Sequence, residues 1–176
     1  IMKILSLHCD YIKFKPLKKA LKNPEELSKE REKETQVKDC LVIFTAVERH
    51  DSLNDVNELV KNIEDIASQV QVRKIVLYPY AHLSSNLAPA DLALKILEEA
   101  DKQLEKKKYK VVRAPFGYYK EFELKCKGHP LAELSREINS KFSTQEGRDF
   151  DYKNALRSLG KTTLDRSKLK DNDHRI

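Results

Sequence analysis

Glycine is scarce in this chain, at 4 of 176 residues. A loop that wraps a phosphate needs glycines to bring backbone amides close, so a nucleotide-cradling loop is not expected. No G-x-x-x-x-G-K-[ST], G-x-G-x-x-G, G-x-S-x-G or H-E-x-x-H pattern occurs. His82 is followed at the fourth place by Asn86, so no helical histidine pair is available for a metal. A Ser–His–Asp triad would need a free choice among Ser84, Ser85 and any acid. Cysteine is limited to Cys9, Cys40 and Cys126, an odd number without C-x-x-C spacing. That pattern fits reduced thiols in a reducing compartment rather than a disulfide framework. Cys126-x-x-His129, with His8 and Cys9, has the residue types of a metal site, but nothing in the sequence fixes its geometry, and no metal is expected. No apolar run approaches membrane-spanning length and no signal-peptide pattern is present, so a cytoplasmic protein with no membrane contact is expected. Ile1 ahead of Met2 reads as a residue added before the natural start.

What is present is a core-forming composition with a charged surface. Hydrophobic residues make up 40 % of the chain and charged residues 35 %, with a formal net charge of +6. The length suits one ordinary domain with a remainder. The positive bias is mild and spread out; it is compatible with a polyanion such as RNA without requiring one.

Along the chain, Met2–Leu7 predicts a strand. The alternation of Ile12, Phe14 and Pro16 against Lys13 and Lys15 predicts a second strand over Tyr11–Lys19, hairpinned to the first. Residues 25–38 are almost wholly charged and predict a solvated loop or short exposed helix with no chemistry. Cys40–Val47 is continuously apolar, as in a strand buried on both faces. Asp51 or Ser52 caps a helix whose apolar residues, Leu53 to Val70, recur three or four apart. Lys74–Tyr80 is another two-sided strand. A second helix opens at Ala88-Pro89 and runs to about Lys107, followed by a strand over Tyr109–Ala114. A third helix is predicted from Pro130 on Leu131, Leu134 and Ile138. Strand–helix–strand–helix–strand implies an α/β fold: a mixed sheet with helices packed on it and sites at the strand ends. Residues 140–176 turn polar and predict a linker with one short helix around Tyr152–Leu159.

One stretch breaks its own pattern. After Pro115-Phe116-Gly117, a strand alternates Phe122, Leu124 and Cys126 against Glu121, Glu123, Lys125 and Lys127. Lys120 falls by parity on the apolar face. Its amine either snorkels out or points into a pocket. His82, Tyr118, Tyr119, Lys120, His129 and Glu133 are the groups that could bind and orient a polar substrate; no strong nucleophile stands among them. Glu133, read in the first turn of the third helix, could also serve the helix dipole and pair with Arg136.

Three spaced segments carry a resemblance: Tyr78-Pro79-Tyr80-Ala81-His82-Leu83-Ser84-Ser85, Ala114-Pro115-Phe116-Gly117-Tyr118-Tyr119-Lys120, and Cys126-Lys127-Gly128-His129-Pro130-Leu131-Ala132-Glu133-Leu134-Ser135-Arg136. In this order they closely resemble the N-terminal editing domain of archaeal threonyl-tRNA synthetases, over residues 2–139. The resemblance implies a D-aminoacyl-tRNA deacylase-like fold and, usually, a homodimer. It implies hydrolysis of mischarged seryl-tRNA(Thr), aided by the 2′-hydroxyl of the terminal adenosine. It places Lys120 and His82 as catalytic groups, with Tyr119, Glu133, Ala81, Pro79, Val47, Phe116 and Gly117 binding substrate. It makes the chain the front of a longer enzyme, with residues 140–176 leading toward an aminoacylating domain. ATP and zinc belong to that domain, so no cofactor is expected in this one. The chemistry is coherent. A charging pocket separates serine from threonine by only about 1–3 kcal/mol, one methyl, so a second, hydrolytic sieve is needed. The contrasting readings are a D-aminoacyl-tRNA deacylase and a non-catalytic RNA-binding or dimerisation module.

Overall fold

The computed structural model describes residues 1–140. The expected linker continues beyond Ser140, outside the described residues. Six strands form one sheet: β1 (Met2–Lys19), β2 (Thr35–Ala46), β3 (Lys74–Pro79), β4 (Lys110–Arg113), β5 (Tyr118–Cys126) and β6 (Glu133–Ile138). Their order is β4-β3-β2-β1-β5, with β6 also on β1. β2, β3 and β4 are parallel, joined by the helices α1 (Val56–Val70) and α2 (Ala90–Lys106). β1 runs antiparallel to β2, β5 and β6. The expected mixed sheet with helices packed on it is the architecture found.

Two cores follow from burying both faces of β2 and β3. Ile4, Leu41, Ile43, Ile75 and Leu77 meet Leu59, Ile63 and Ile66 of α1 and Ile96 and Leu104 of α2. Each such buried aliphatic side chain contributes about 1.5–3 kcal/mol. On the other face, Cys9, Ile12, Phe14, Val42, Phe44, Val76 and Tyr78 form a second cluster. Neither α1 nor α2 contributes to this cluster, and Leu83 of a short 3₁₀ turn packs against it. The sheet curls over it: Phe14 pairs with Thr35 at the start of β2, yet its ring lies 5.9 Å from that of Tyr78, which pairs with Phe44 at the far end of β2. The helix entrance is as predicted: the Asn54 N–H donates to Ser52 Oγ (3.2 Å) and the Ser52 N–H to Asp55 Oδ2 (2.7 Å).

Three expectations fail here. Met2–Leu7 and Tyr11–Lys19 are one strand of 18 residues, not a hairpin. A bulge against β5 lies between Cys9 and Tyr11, and the parity of the residues facing the second cluster changes there, from Leu5, Leu7 and Cys9 to Ile12 and Phe14. Two alternating patterns out of phase read as two strands. The third helix is instead strand β6. Its residues alternate, with Leu134 and Ile138 inward and Glu133, Ser135 and Glu137 exposed, and it pairs with the outer edge of Met2–Leu7, which would otherwise stand open. Arg136 accordingly reaches across to α1, donating to Asn62 Oδ1 (3.0 Å) and pairing with Asp65 (2.8 Å), rather than with Glu133. Finally, residues 25–38 are not uniformly solvated: Thr35–Lys38 belongs to β2, and Glu25 is buried.

Candidate functional site

The carboxyl ends of parallel strands gather loops at one rim. Here the ends of β2 and β3 meet the Pro115-Phe116-Gly117 turn, the start of β5 and the end of β1 around a cavity of about 460 Å³. That is ordinary for a small-molecule site. Of the residues named from sequence, Lys120, His82, Tyr119, Ala81, Pro79, Val47, Phe116 and Gly117 all line it. Glu133 does not: it opens β6 and is exposed, and its charge acts on Cys126, whose thiol is pushed up by burial and by Glu133.

The floor of the cavity is a turn held from below. Gly117 has φ +85°, and an ideal Cβ there would stand 2.8 Å from Pro24 Cβ, so glycine is required on two counts. The Ala20 and Leu21 N–H groups donate to the Gly117 carbonyl at 2.9 and 3.2 Å. Glu25 clamps the same turn. Its N–H donates to the Phe116 carbonyl (3.1 Å), its carboxylate accepts from the Phe116 N–H (3.1 Å), and its carbonyl accepts from the Tyr118 hydroxyl (2.8 Å). Arg31 and Arg113 pair with that carboxylate at 2.6 and 2.9 Å. Burial alone would raise the Glu25 carboxyl; the Arg31 hydrogen bond, the Arg113 charge and the Phe116 amide outweigh it and hold it below the usual carboxylate range. Residues 25–38, expected to be solvated, thus supply a buried carboxylate and its Arg31 partner to the support of the turn.

Lys120 points inward, as its parity requires. Its amine donates to the Tyr118 carbonyl (3.2 Å) and lies 5.2 Å from the centre of the Tyr78 ring. Around it, Phe44 and Phe122 pack against Tyr78 at 4.9 and 5.5 Å between ring centres. This apolar enclosure pulls the Lys120 pKa down to about 8, against the opposing charge of Glu25. Burial raises the Tyr78 phenol well above its ordinary value, so it stays protonated. Phe122 shares the inner ring cluster but keeps 42 % of its surface exposed.

His82 arrives differently from the strand-end position expected. β3 stops at Pro79, and His82 sits in a 3₁₀ turn over Ala81–Leu83, exposed, its ring edge-on to Tyr80 at 5.1 Å. Tyr118, also named from sequence, lines the cavity, whereas His129 does not; Thr45, Tyr78, Tyr80, Ala20 and Leu21 line it as well and were not among the residues named from sequence. The aromatic alternation of Tyr78 and Tyr80 was a usable signal. Ala20 and Leu21 had none, since only the curl of β1 brings them to the rim.

At the other end of β5, His8 Nδ1 and His129 Nε2 share a 2.7 Å hydrogen bond. Burial, together with the charges of His129 and Lys127, lowers the His8 pKa. His8 and Cys9 point to opposite faces of β1, and no metal-holding group of three or more His, Cys, Asp or Glu side chains occurs among the described residues. No helix among them is long and apolar enough to cross a membrane.

Comparison with known proteins places the geometry. Residues 2–138 match the model of the archaea-specific editing domain of threonyl-tRNA synthetase. The threonine–tRNA ligase of Thermococcus kodakarensis is 50 % identical over 140 residues, covering 78 % of this chain and 22 % of the ligase. The threonine–tRNA ligase editing subunit of Saccharolobus solfataricus is 43 % identical over 151 residues, covering 86 % of this chain and 38 % of the subunit. The chain thus spans about a fifth of the ligase. Among solved structures, the c-Myc DNA unwinding element binding protein superposes with a TM-score of 0.58 at 10 % identity, covering 78 % of this chain and 99 % of that one. This likeness concerns the fold alone, which is D-aminoacyl-tRNA deacylase-like. With its sequence matched from β1 through β6, the chain belongs to the family of archaea-specific editing domains of threonyl-tRNA synthetase.

Proposed function

We propose that this domain hydrolyses L-serine from mischarged seryl-tRNA(Thr), and that Lys120 and His82 serve the reaction at the cavity rim. The observation that carries the reading is the Lys120 amine, inside a cavity walled by aromatic rings, with a pKa of about 8. Near neutral pH such an amine is mostly protonated yet weakly solvated. It is suited to hold a water molecule and to donate toward the oxyanion as the ester carbonyl is attacked. Water supplies the oxygen, the bond from the acyl carbon to the ribose 3′-oxygen breaks, and that oxygen takes a proton as free serine leaves. The 2′-hydroxyl of the terminal adenosine lies beside the ester and can relay that proton. His82, at the exposed lip, can orient the water or the ribose. An aminoacyl ester is already activated, so the absence of a Ser or Cys nucleophile at the rim is no obstacle. Tyr119, Ala81, Pro79, Val47, Phe116 and Gly117 bound the space for the serine side chain and the terminal nucleoside. A snug wall there excludes the extra methyl of threonine. In this reading the partner is the 3′ end of tRNA(Thr), the chain works as a homodimer in the cytoplasm, and no cofactor takes part.

The test is deacylation by the 176-residue chain of L-seryl-tRNA(Thr) beside L-threonyl-tRNA(Thr). Rapid loss of serine with threonine largely spared is expected. Decay of both esters at the buffer rate would sink the reading, and selective loss of D-aminoacyl esters would redirect it to the chiral substrate class.

A further inference from the structure

The last turn of β1 carries a charge pattern that the hydrolytic site does not use. Lys13 and Lys15 sit opposite Glu123 and Glu121 of β5. Beyond Pro16 the pattern changes. Lys19 pairs with Tyr118, and the segment that follows is fastened to Gly117, so no acid is paired with it on the β5 side. Lys18, Lys19 and Lys22 are exposed. None of the three is in an ion pair among the described residues. The nearest acids along the chain are Glu25, buried and neutralised by Arg31 and Arg113, and the exposed Glu26. Between these lysines lie Ala20 and Leu21, which line the cavity. Beside them stands Tyr119, 56 % exposed at the cavity mouth, with the Lys18 amine 5.5 Å from its ring centre. The basic run at the end of α2 is different in kind: Lys107 is paired with Glu64 at 3.2 Å, and a helix carboxyl end attracts cations on its own account.

Unpaired lysines along a strand end, with an exposed aromatic face among them, are the two components of a single-strand nucleic-acid track. We propose that Lys18, Lys19 and Lys22 together with the ring of Tyr119 bind the single-stranded 3′ end of an RNA, the lysines taking its phosphates and the tyrosine stacking a base next to the terminal nucleoside. This rests on the reading that the cavity takes the terminal aminoacyl nucleoside, since the track leads into it. It assigns the strand-end lysines the work of delivering the ester without contact to the reacting atoms.

The experiment is fluorescence anisotropy of the full chain with a labelled, uncharged oligoribonucleotide of about 12 nucleotides ending in C-C-A, between about 50 and 200 mM salt. Three phosphate contacts on a single strand contribute about 0.7 each to the salt slope, so replacing all three lysines (K18A/K19A/K22A) should flatten it by about 2 and weaken binding about 10- to 100-fold. Tyr119→Ala should weaken binding about 5- to 100-fold with the salt slope unchanged. The control K106A/K107A/K108A should match the parent chain. A triple variant with the parent's slope and affinity overturns the track. So does the absence of binding by the parent, or equal binding of a blunt RNA duplex without an overhang. Because the probe carries no ester, a chain that binds it as described but spares seryl-tRNA(Thr) refutes the hydrolytic reading and leaves the track standing.

Discussion

The two halves of β1 do different jobs although one backbone runs through both. Met2–Leu7 lies between β2 and β6, and its inward residues Met2 and Ile4 are sealed under α1 and α2. Tyr11–Lys19 lies between β2 and β5 and curls over the face turned away from α1 and α2, where Phe14 meets Tyr78. The first half gains stability from dense aliphatic burial. Just beyond the second half, Ala20 and Leu21 line the cavity, a gap beside the aromatic rings around which the sheet curls. Into that gap β5 sends Lys120, a residue that dry packing would reject. Under the proposed function, stability and chemistry divide on either side of the bulge between Cys9 and Tyr11.

The sharpest break of this comparison is Lys120→Met. Deacylation of seryl-tRNA(Thr) should fall about 100-fold or more, while circular dichroism and unfolding remain those of a folded domain. A variant with the parent's rate would return Lys120 to the role of a buried stem with no part in the reaction. Ile4→Ala tests the other half. Removing this fully packed side chain should cost about 2–5 kcal/mol in urea unfolding, with the rate per folded molecule unchanged. A rate loss matching Lys120→Met would erase the division.

A smaller effect comes from the pH dependence of stability. The Lys120 pKa is about 8 when folded and about 10.4 when unfolded. Below pH 8 the amine is charged in both states and the fold carries the burial penalty. Between the two values the unfolded chain binds more protons, so stability rises with pH; above both, the penalty is gone. Lys120→Met should therefore stabilise the domain by on the order of 1–3 kcal/mol at pH 7, and the gain should fade above pH 8. A pH-independent difference would mean that the amine is fully solvated. The smallest expected effect is that of Gly117→Ala, about 1–2 kcal/mol, from the positive φ and the Pro24 contact. It should also lower the deacylation rate by moving Phe116 and Lys120. Unchanged stability would show that the turn relaxes freely.

Much of this was legible in the residues. The run from β2 through β4 was readable because each element carries its own period: continuous apolar residues for doubly buried strands, and three-or-four spacing for α1 and α2. Lys120 was readable as a break in parity. β6 was not, because Leu134 and Ile138, four apart, suit either period and only the open edge of β1 selects the strand. Glu25 was hidden in a charged run, since its burial depends on Arg31 and on Arg113 from a distant strand. Glu133 was carried into the site by its motif, yet in the chain it stands at the head of β6, outside the cavity.

By itself the sequence determined the local periods, the strand–helix–strand–helix–strand order from β2 to β4, the glycine turn at 115–117 and the place of Lys120 on the apolar face by parity, because each is a property of neighbours along the chain. Only the tertiary structure decided that two out-of-phase patterns make one bulged strand, that Ala20 and Leu21 meet Tyr78 and His82 around one cavity, and that a buried glutamate holds its floor. Those outcomes depend on edges that need partners and charges that need neutralising, and the groups that satisfy them lie far apart in sequence.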